Sequence, residues 1–429
     1  MLRGATSICA KYARSGILVK VKHMISFLTR KYSVLITLFV IATFGCAAWT
    51  WVMIDPNFTL YDHADWAVFR EQMIAIGLFN RPLSAQLYLT CIGLLTILHM
   101  LIVRKMPTLS LKRVMIMTLI IGGIAGICSY PALSRDLFNY IFDAKIFTFY
   151  GKNPYLMRAL DFPIDENLRF MHWVHRTYPY GPIYLLISFI PSFLSMGKFS
   201  LAFFLFKGMH VLLYSLSVWC IYKVKPAAAI FFATAPLVLV EGLMSTHNDF
   251  VAVALGIIGM YFISRGHLWR ALLFMVASGL IKYFTLPLVM IPSGLLLGKY
   301  LAASKVITSE RLKQASKIIT AQHLVACATV GVIGLIVYVV YSGELHSWYI
   351  LNLFVFTPFL YELLRYWQLF FTSLLLSYYP YVVGGEWGQG GDVGMKKQIM
   401  WWGFAINLVV FICYTAYHAK HRYALSRKK

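Results

Sequence analysis

Long apolar runs recur along almost the whole length of this chain, and they limit the folds that it can adopt. Two of them, 32–54 and 323–341, are close to the ~20 residues that a helix needs to cross the hydrocarbon core of a bilayer. Hydrophobic residues make up 60% of the 429 positions and charged residues only 13%. A soluble domain has roughly 45–50% and about 25%. The chain is therefore predicted to be an all-α, polytopic membrane protein, and a soluble fold is excluded.

Hydropathy predicts about twelve transmembrane helices, within a range of 11 to 13. The predicted spans are 32–54, 84–103, 113–133, 199–222, 226–245, 249–264, 267–281, 283–298, 322–342, 347–361, 365–383 and 399–418. The two spans in 267–298 are also compatible with one long helix that is kinked near Lys282 and Pro287.

The charged residues indicate which side of the membrane each loop faces. The N-terminal segment 1–31 and the tail 419–429 contain Lys and Arg but no acid, so both termini are predicted to be cytoplasmic. Acids instead gather in two segments that alternation places outside: Asp55, Asp62, Asp65, Glu71, Asp136, Asp143, Asp161, Asp165 and Glu166. The net charge of +23 is thus interpreted as a topology signal and not as nucleic-acid binding. The predicted location is the plasma membrane, or the endoplasmic reticulum membrane in a eukaryote.

Between Asp136, predicted outside, and Lys223, predicted inside, the chain must cross the membrane an odd number of times. Two apolar stretches lie there, however: 184–196 and 199–222. The first is short and contains Pro191, so we interpret it as a juxtamembrane or re-entrant helix on the outer side. Residues 134–197 are therefore predicted to form a structured outer loop, and loops of this length are more often functional than passive.

The outer loop opens with polar residues at helical spacing. Asp136, Asn139, Tyr140 and Asp143 fall on one face of a predicted helix, with the two carboxylates about 10 Å apart along its axis. One interpretation is a general base held at a cavity on the membrane surface. The alternative is the solvated outer face of a surface helix.

Two rigid turns follow in the same loop. The first carries Asn153 and Tyr155, and the second carries Tyr180 between Pro179 and Gly181. Aromatic rings at these turns could stack on a sugar, or they could belong to the aromatic belt that lies at a membrane interface.

A second group of polar residues interrupts the apolar spans and is predicted to lie on the same outer side. Ionisable groups at membrane depth are costly and usually face a cavity or a partner. The group comprises Glu241, His247, Asn248, Asp249, Lys282, His346, Trp348 and Tyr349. Structural roles remain open for several of them: a salt bridge or helix cap for Asp249, a basic partner for Glu241, and snorkelling to the interface for Lys282.

The order and spacing of these residues resemble those of the GT-C superfamily of polytopic glycosyltransferases. The nearest likeness is to bacterial polyprenyl-phosphomannose-dependent α-1,6-mannosyltransferases, and it covers roughly 113–361. It rests on Asp136, Asn139-Tyr140, Gly151-x-Asn153-Pro154-Tyr155, Tyr180-Gly181-Pro182, Glu241, His247-Asn248-Asp249, Lys282 and His346-x-Trp348-Tyr349. The chain departs from the pattern at Ser347, where many relatives have Pro.

The resemblance implies an inverting transfer of a hexose, mannose in the nearest relatives, from a polyprenyl-phosphate carrier to a glycan or glycolipid on the outer face. It implies that Asp136 is the catalytic base. Lys282, Arg135 and His346 would then stabilise the phosphate that leaves. Substrate binding would fall to Asn139, Tyr140, Asp143, Asn153, Tyr155, Tyr180, Glu241, His247, Asn248, Asp249, Trp348 and Tyr349.

No cofactor is required by this chemistry, because basic groups can neutralise a single phosphate, although a carboxylate trio could hold a divalent cation. The seven cysteines are scattered and form no CxxC pair, which argues against a zinc site or a disulfide framework. The expected partners are the polyprenyl-phosphate sugar, the acceptor and membrane lipids, but no nucleic acid.

Two other functions remain open. A transporter or flippase of lipid-linked sugars would need polar groups on both sides of the midplane and paired broken helices. A polysaccharide polymerase or ligase would need several arginines in its outer loops, which Arg158, Arg169 and Arg176 could supply.

The predicted division of the chain has five parts and follows the spans and the resemblance. The parts are a basic cytoplasmic segment 1–31, two additional helices in 32–112, a catalytic module 113–361 that includes the outer loop 134–197, C-terminal helices in 362–418, and a basic tail 419–429.

Overall fold

The computed structural model describes residues 33–106, 109–303, 320–385 and 391–426. The predicted cytoplasmic segment 1–31 lies outside the described residues, as do the last three residues of the basic tail. Every regular element in the described ranges is helical, which confirms the all-α prediction.

The α-helices of the described residues are numbered here in chain order. They are α1 Ser33–Val52, α2 Ala64–Gly77, α3 Arg81–Lys105, α4 Leu111–Gly122, α5 Asp136–Thr148, α6 Pro182–Leu194, α7 Phe199–Val224, α8 Pro226–Thr234, α9 Asn248–Ser264, α10 Leu268–Gly279, α11 Met290–Ala303, α12 Ala321–Ser342, α13 Ser347–Leu351, α14 Thr357–Leu364, α15 Gln368–Leu376, α16 Tyr379–Gly384 and α17 Gly391–Ser426. Shorter π-helical segments are Gly123–Ile127 and Val238–Met244, and 3-10 segments are Ala159–Asp161, Glu166–Phe170, Tyr283–Val289, Asn352–Phe356 and Arg365–Trp367.

Within the described residues, seven helical stretches are long and apolar enough to cross a membrane. They are Val34–Val52, Arg81–Lys105, Phe199–Val224, Tyr283–Ala303, Ala321–Tyr341, Ser347–Gly384 and Val393–Tyr417. An eighth arises if α8 and Val238–Met244, bent by 65°, form one broken span. These stretches confirm a polytopic membrane protein, whereas the total of about twelve spans stays a prediction.

The predicted outer loop 134–197 contains two α-helices, α5 and α6, which pack against each other. The hydroxyls of Thr148 and Ser192 are 2.7 Å apart across this contact. Helix α6 has 13 residues and contains Pro191, so it is shorter than the ~20 residues that a span needs. Its length agrees with the predicted juxtamembrane helix.

An aromatic cluster fixes the start of α5. Phe58 lies 5.1 Å from the ring centre of Tyr130 and 5.5 Å from that of Phe138, and Phe138 lies 5.3 Å from Phe170. All four rings are almost fully buried, and each buried ring of this size stabilises a fold by roughly 1.5–3 kcal/mol. The loop after α1 and the loop before α5 are therefore packed as one unit.

Helix α9 forms the centre of the bundle. It packs against α7, α10 and the segment Asn352–Phe356, and most of its residues are fully buried. At Gly256 a side-chain Cβ would lie only 2.3 Å from the Val355 side chain, so close approach of these elements requires glycine there. The first turn of α9 is thereby held among several other elements.

Candidate functional site

The polar residues meet where the π-helical segment Val238–Met244 ends and α9 begins. Thr246 makes this turn with a left-handed backbone (φ 60°), which is uncommon for a β-branched residue. Such strain costs of order 1–3 kcal/mol and clusters at functional sites. The turn places three consecutive residues, each no more than 1% exposed, at the start of α9: His247, Asn248 and Asp249.

Asp136, at the first position of α5, lies beside this turn. The Ser134 hydroxyl accepts a hydrogen bond from the Asp136 N–H (3.2 Å) in the turn that leads into this helix. The Tyr140 hydroxyl donates to Asp136 Oδ2 (3.3 Å) and accepts from the Asn248 N–H (3.4 Å). His247 Nδ1 lies 3.8 Å from the same carboxylate oxygen. The predicted base is thus connected to the turn by two side chains.

Glu241 is fully buried on the far side of His247 from Asp136. Its Oε1 accepts hydrogen bonds from the hydroxyls of Ser347 and Tyr378, the latter at 2.9 Å. Its Oε2 lies 3.2 Å from His247 Nε2. The basic partner that the sequence left open for Glu241 is therefore His247, and Ser347, the departure from the family pattern, supplies one of its hydrogen bonds.

Asp249 forms the third contact of the turn. One carboxylate oxygen pairs with Lys282 Nζ at 2.5 Å, and the other accepts from the Asn352 amide at 2.8 Å. The Lys282 ammonium also lies over two rings, 5.8 Å from the centre of Tyr180 and 5.6 Å from that of Tyr349. The structure thus places Lys282 in the polar cluster, where it forms the salt bridge expected for Asp249.

Trp348 lies between two imidazole rings. Its ring is stacked on His247 at 4.4 Å and on His346 at 4.3 Å. His346 Nδ1 is 3.3 Å from the ammonium of Lys396 on α17, which also pairs with Glu344 at 3.1 Å. The last helix therefore brings a cation to the edge of the site.

Other predicted site residues make their contacts elsewhere in the outer loop. Arg135 forms an ion pair with Asp55 in the loop after α1. The Asn139 amide donates to the Trp173 carbonyl (3.1 Å). Asn153 is exposed and accepts from the N–H of Tyr155 (3.0 Å). The first contact connects the outer loop to the loop after α1, the other two lie within the outer loop, and none of the three joins the polar cluster.

Tyr155 and Tyr180 link the outer loop to the cluster. The Tyr155 hydroxyl donates to the Tyr180 carbonyl (3.2 Å), and the Tyr180 ring lies 5.6 Å from that of Tyr140. Because Lys282 faces the same Tyr180 ring, this tyrosine contacts both the Asp136 side and the Lys282 side of the site.

Asp143, two turns beyond Asp136 on α5, is buried near Arg176. Burial raises the pKa of its carboxyl to about 7, the Arg176 guanidinium opposes this rise, and the charge of Asp136 adds to it. Arg176 itself lies over the rings of Trp173 and Tyr180, at 5.4 and 5.5 Å. Asp143 and Arg176 therefore influence each other electrostatically beside Tyr180.

Sequence reasoning missed several residues that hold the cluster together. Asn352 and Tyr378 bind the two buried carboxylates, and Lys207, fully buried in α7, donates to Ser129 Oγ (3.2 Å) and to the Met244 carbonyl (3.3 Å). A lysine inside an apolar span was a usable signal, because such residues usually have an internal partner. Tyr378 carried no such signal, since tyrosine is common at membrane interfaces.

Within the described residues, no three His, Cys, Asp or Glu side chains are grouped so that they could hold a metal ion.

The fold and the site define a class of protein: an all-α membrane protein whose broken helices gather buried carboxylates, histidine and lysine around one partly exposed aspartate. The family model described as alpha-(1->6)-mannopyranosyltransferase, N-terminal domain, matches residues 64–298, more than half of the chain. The chain belongs to this family, in agreement with the likeness seen in its motifs.

A curated relative is alpha-(1->6)-mannopyranosyltransferase A of Corynebacterium glutamicum, which is 25% identical over 138 residues. The match covers 30% of this chain and 28% of the relative, so the chain spans under a third of the curated protein that it matches. No solved structure matches the chain.

Proposed function

We propose that this protein is an inverting membrane mannosyltransferase, which moves mannose from a polyprenyl-phosphate carrier to a glycan or glycolipid acceptor at the outer face of the membrane. Family membership and the name of the Corynebacterium glutamicum relative support the sugar and the reaction class. The carrier, the acceptor and the orientation rest on the motif resemblance and on the asymmetry of the charged residues.

One observation carries the assignment of roles. The side chains of Asp136 and Lys282 are 18% and 19% exposed, whereas Glu241, His247 and Asp249 are 0–1% exposed. A substrate that approaches the cluster therefore meets one carboxylate and one ammonium. These are the two groups that glycosyl transfer from a phosphate requires: a base for the acceptor and a cation for the leaving group.

The reaction is a single displacement. The acceptor hydroxyl transfers its proton to the Asp136 carboxylate while its oxygen forms a bond to the anomeric carbon, and the bond from that carbon to the phosphate oxygen breaks. Attack from the side opposite the phosphate inverts the configuration. Lys282 stabilises the negative charge that grows on the departing polyprenyl phosphate, and Tyr180, which lies between the two groups, packs against the sugar.

Purified protein with polyprenyl-phosphate mannose and simple glycan acceptors tests the proposal. Asp136→Asn keeps the shape of the side chain but removes the base, so transfer should fall by roughly 10²- to 10⁴-fold. Asp161→Asn is the matched control, because it makes the same carboxylate-to-amide change at a residue that pairs with Arg158 on the surface. Near-normal transfer by Asp136→Asn, or equal losses in both variants, would refute the assignment of the base.

The polymerase or ligase alternative depended on arginines that are free to bind a diphosphate donor. Arg158 pairs with Asp161 at 3.0 Å, and Arg169 lies 3.4 Å from Glu166. The two arginine side chains are 52% and 49% exposed, so these pairs are weak, and both point to neighbours in the outer loop and not to the cluster. The third arginine, Arg176, lies over the Tyr180 ring, so it is the one that could meet a donor phosphate. A donor panel that includes oligosaccharide-diphosphate lipids separates the two functions.

A further inference from the structure

His247 has a carboxylate on each side of its ring. Its Nδ1 lies 3.8 Å from Asp136 Oδ2, and its Nε2 lies 3.2 Å from Glu241 Oε2. The two acids come from different elements, since Asp136 begins α5 and Glu241 belongs to the π-helical segment Val238–Met244. An imidazole in this position connects a partly exposed carboxylate to one that has no access to solvent.

Burial argues against a direct contact of Glu241 or His247 with a substrate. Glu241 is 0% exposed and His247 is 1% exposed. Glu241 Oε2 and His247 Nε2 lie 3.2 Å apart, yet neither makes a hydrogen bond within the part of the chain that the structure describes. An unpaired buried polar group costs about 1–3 kcal/mol, so a charge-assisted hydrogen bond from an imidazolium Nε2–H to this carboxylate would be favourable.

The orientation of both side chains is fixed. Trp348 stacks on the face of the His247 ring, which restricts its rotation and keeps Nδ1 directed to Asp136. The Ser347 and Tyr378 hydroxyls hold Glu241 Oε1 and leave Oε2 for the imidazole. Trp348, Ser347 and Tyr378 thus maintain one line from Asp136 through His247 to Glu241.

We propose that His247 and Glu241 form a proton relay behind the catalytic base; this inference rests on the proposed function. After Asp136 has taken the proton of the acceptor hydroxyl, the carboxylic acid O–H gives that proton to His247 Nδ1. The imidazolium that forms is stabilised by the Glu241 carboxylate at Nε2, and Asp136 is again ionised. When the products leave, the proton returns through Asp136 to water.

The 3.8 Å distance between His247 Nδ1 and Asp136 Oδ2 shortens when the Asp136 side chain rotates. This side chain is partly exposed, and the one hydroxyl that binds its Oδ2 is that of Tyr140. Hydrogen bonds of this kind are often long without substrate and shorten when it is bound. His247 and Glu241 are accordingly positioning residues: they act on the reaction through Asp136.

Glu241→Gln tests the relay because it keeps the side-chain shape and the acceptor oxygen for Ser347 and Tyr378 but removes the charge opposite the imidazole. We expect kcat to fall roughly tenfold or more, while KM for donor and acceptor stays within about twofold. Glu362→Gln is the control, since Glu362 makes surface ion pairs with Lys225 and Arg365 away from the cluster.

A double variant separates the relay from a general structural effect. In an Asp136→Asn background the relay has no proton to carry, so adding Glu241→Gln should change the residual rate of transfer by less than about twofold. Should Glu241→Gln fail to fold, Tyr378→Phe replaces it, since this change removes one hydroxyl from Glu241 and should also lower kcat without raising KM.

These measurements distinguish failure of the proposed function from failure of the relay. Absence of transfer by the wild-type protein, with every donor in the panel, would contradict the proposed function. An active wild type combined with normal kcat in Glu241→Gln, a rise in KM without a fall in kcat, or independent losses in the double variant would overturn the relay.

Discussion

The buried ion pair between Lys282 and Asp249 allows the structural role of Lys282 to be separated from its proposed catalytic role, because substitutions of the pair should change the free energy of unfolding and the rate of transfer differently. Asp249 is completely buried, and its two oxygens are bound by the Lys282 ammonium and the Asn352 amide. Lys282→Met leaves the carboxylate with the amide alone. Removing one partner of a buried pair typically destabilises a protein by about 3–5 kcal/mol, because the remaining charge is uncompensated.

The reverse change should cost less. In Asp249→Asn the lysine loses its carboxylate, but its side chain is 19% exposed and can reach water or lipid headgroups. We expect a loss of about 1–2 kcal/mol, mainly from the weaker contact with Asn352. The double variant Lys282→Met/Asp249→Asn contains no uncompensated charge, so it should be more stable than Lys282→Met alone by roughly 2 kcal/mol.

The free energy of unfolding can be followed by SDS titration of each variant in detergent micelles, with circular dichroism as the signal. Transfer activity is measured on the same preparations. The double variant should recover stability but not turnover, because Lys282 also stabilises the leaving phosphate in the proposed mechanism. Additive losses of stability in the double variant would refute the uncompensated-charge argument, and recovered turnover would refute the catalytic role of Lys282.

Two further predictions concern the outer loop. In the folded protein the pKa of Asp143 is raised from its ordinary 3.8 to about 7, so its ionisation opposes folding: the stability present below pH 3.8 is lost as the pH rises toward 7. Asp143→Asn should therefore become more stable relative to wild type across this window, by at most about 4 kcal/mol, and an unchanged difference in unfolding midpoint between pH 4 and pH 7 would contradict this. At Gly181 a side-chain Cβ would lie 1.8 Å from the Leu280 carbonyl oxygen, so Gly181→Ala should push Tyr180 away from Lys282. We expect this variant to be destabilised by about 1–3 kcal/mol or more and to transfer sugar more slowly. Gly208→Ala in α7 is the control, because no atom lies within 4 Å of the added carbon; equal thermal stability of the two alanine variants would show the Gly181 argument to be wrong.

The helical membrane architecture could be predicted from the sequence because bilayer thickness imposes a length on every span. The short helix α6 could be predicted as well, since alternation of the charged loops left room for only one crossing between Asp136 and Lys223. The broken segments were harder to predict. Hydropathy gives one apolar span over 226–245, whereas the chain forms α8 and Val238–Met244 with a bend of 65° between them. Hydropathy averages over such a break, and the signal that marks it is instead the helix-breaking Pro236 between the two segments.

The polar members of the site could be selected from the sequence because charges inside apolar runs are costly and therefore informative. Their pairing could not. Glu241 and Ser347 are 106 positions apart, and Asp249 and Asn352 are 103 apart. Contacts at this separation depend on how the helices pack. The partner of Arg135 could not be predicted either: the resemblance implies a phosphate contact, which stays a prediction, and in the structure Asp55, from the loop after α1, pairs with this arginine.

The site combines residues from two parts of the chain, and these parts have different tasks. Asp136 and Lys282, the two partly exposed charged groups of the cluster, both lie within the family match of 64–298. Ser347, Trp348, Asn352 and Tyr378 lie beyond it, and each contacts one of the buried groups Glu241, His247 and Asp249. The C-terminal third of the chain thus holds the groups that lie behind the two charged residues of the proposed mechanism. Substitution of Ser347 or Tyr378 should therefore lower the rate of transfer more than it changes the choice of substrate, because both residues contact the buried Glu241 and not the partly exposed Asp136 or Lys282.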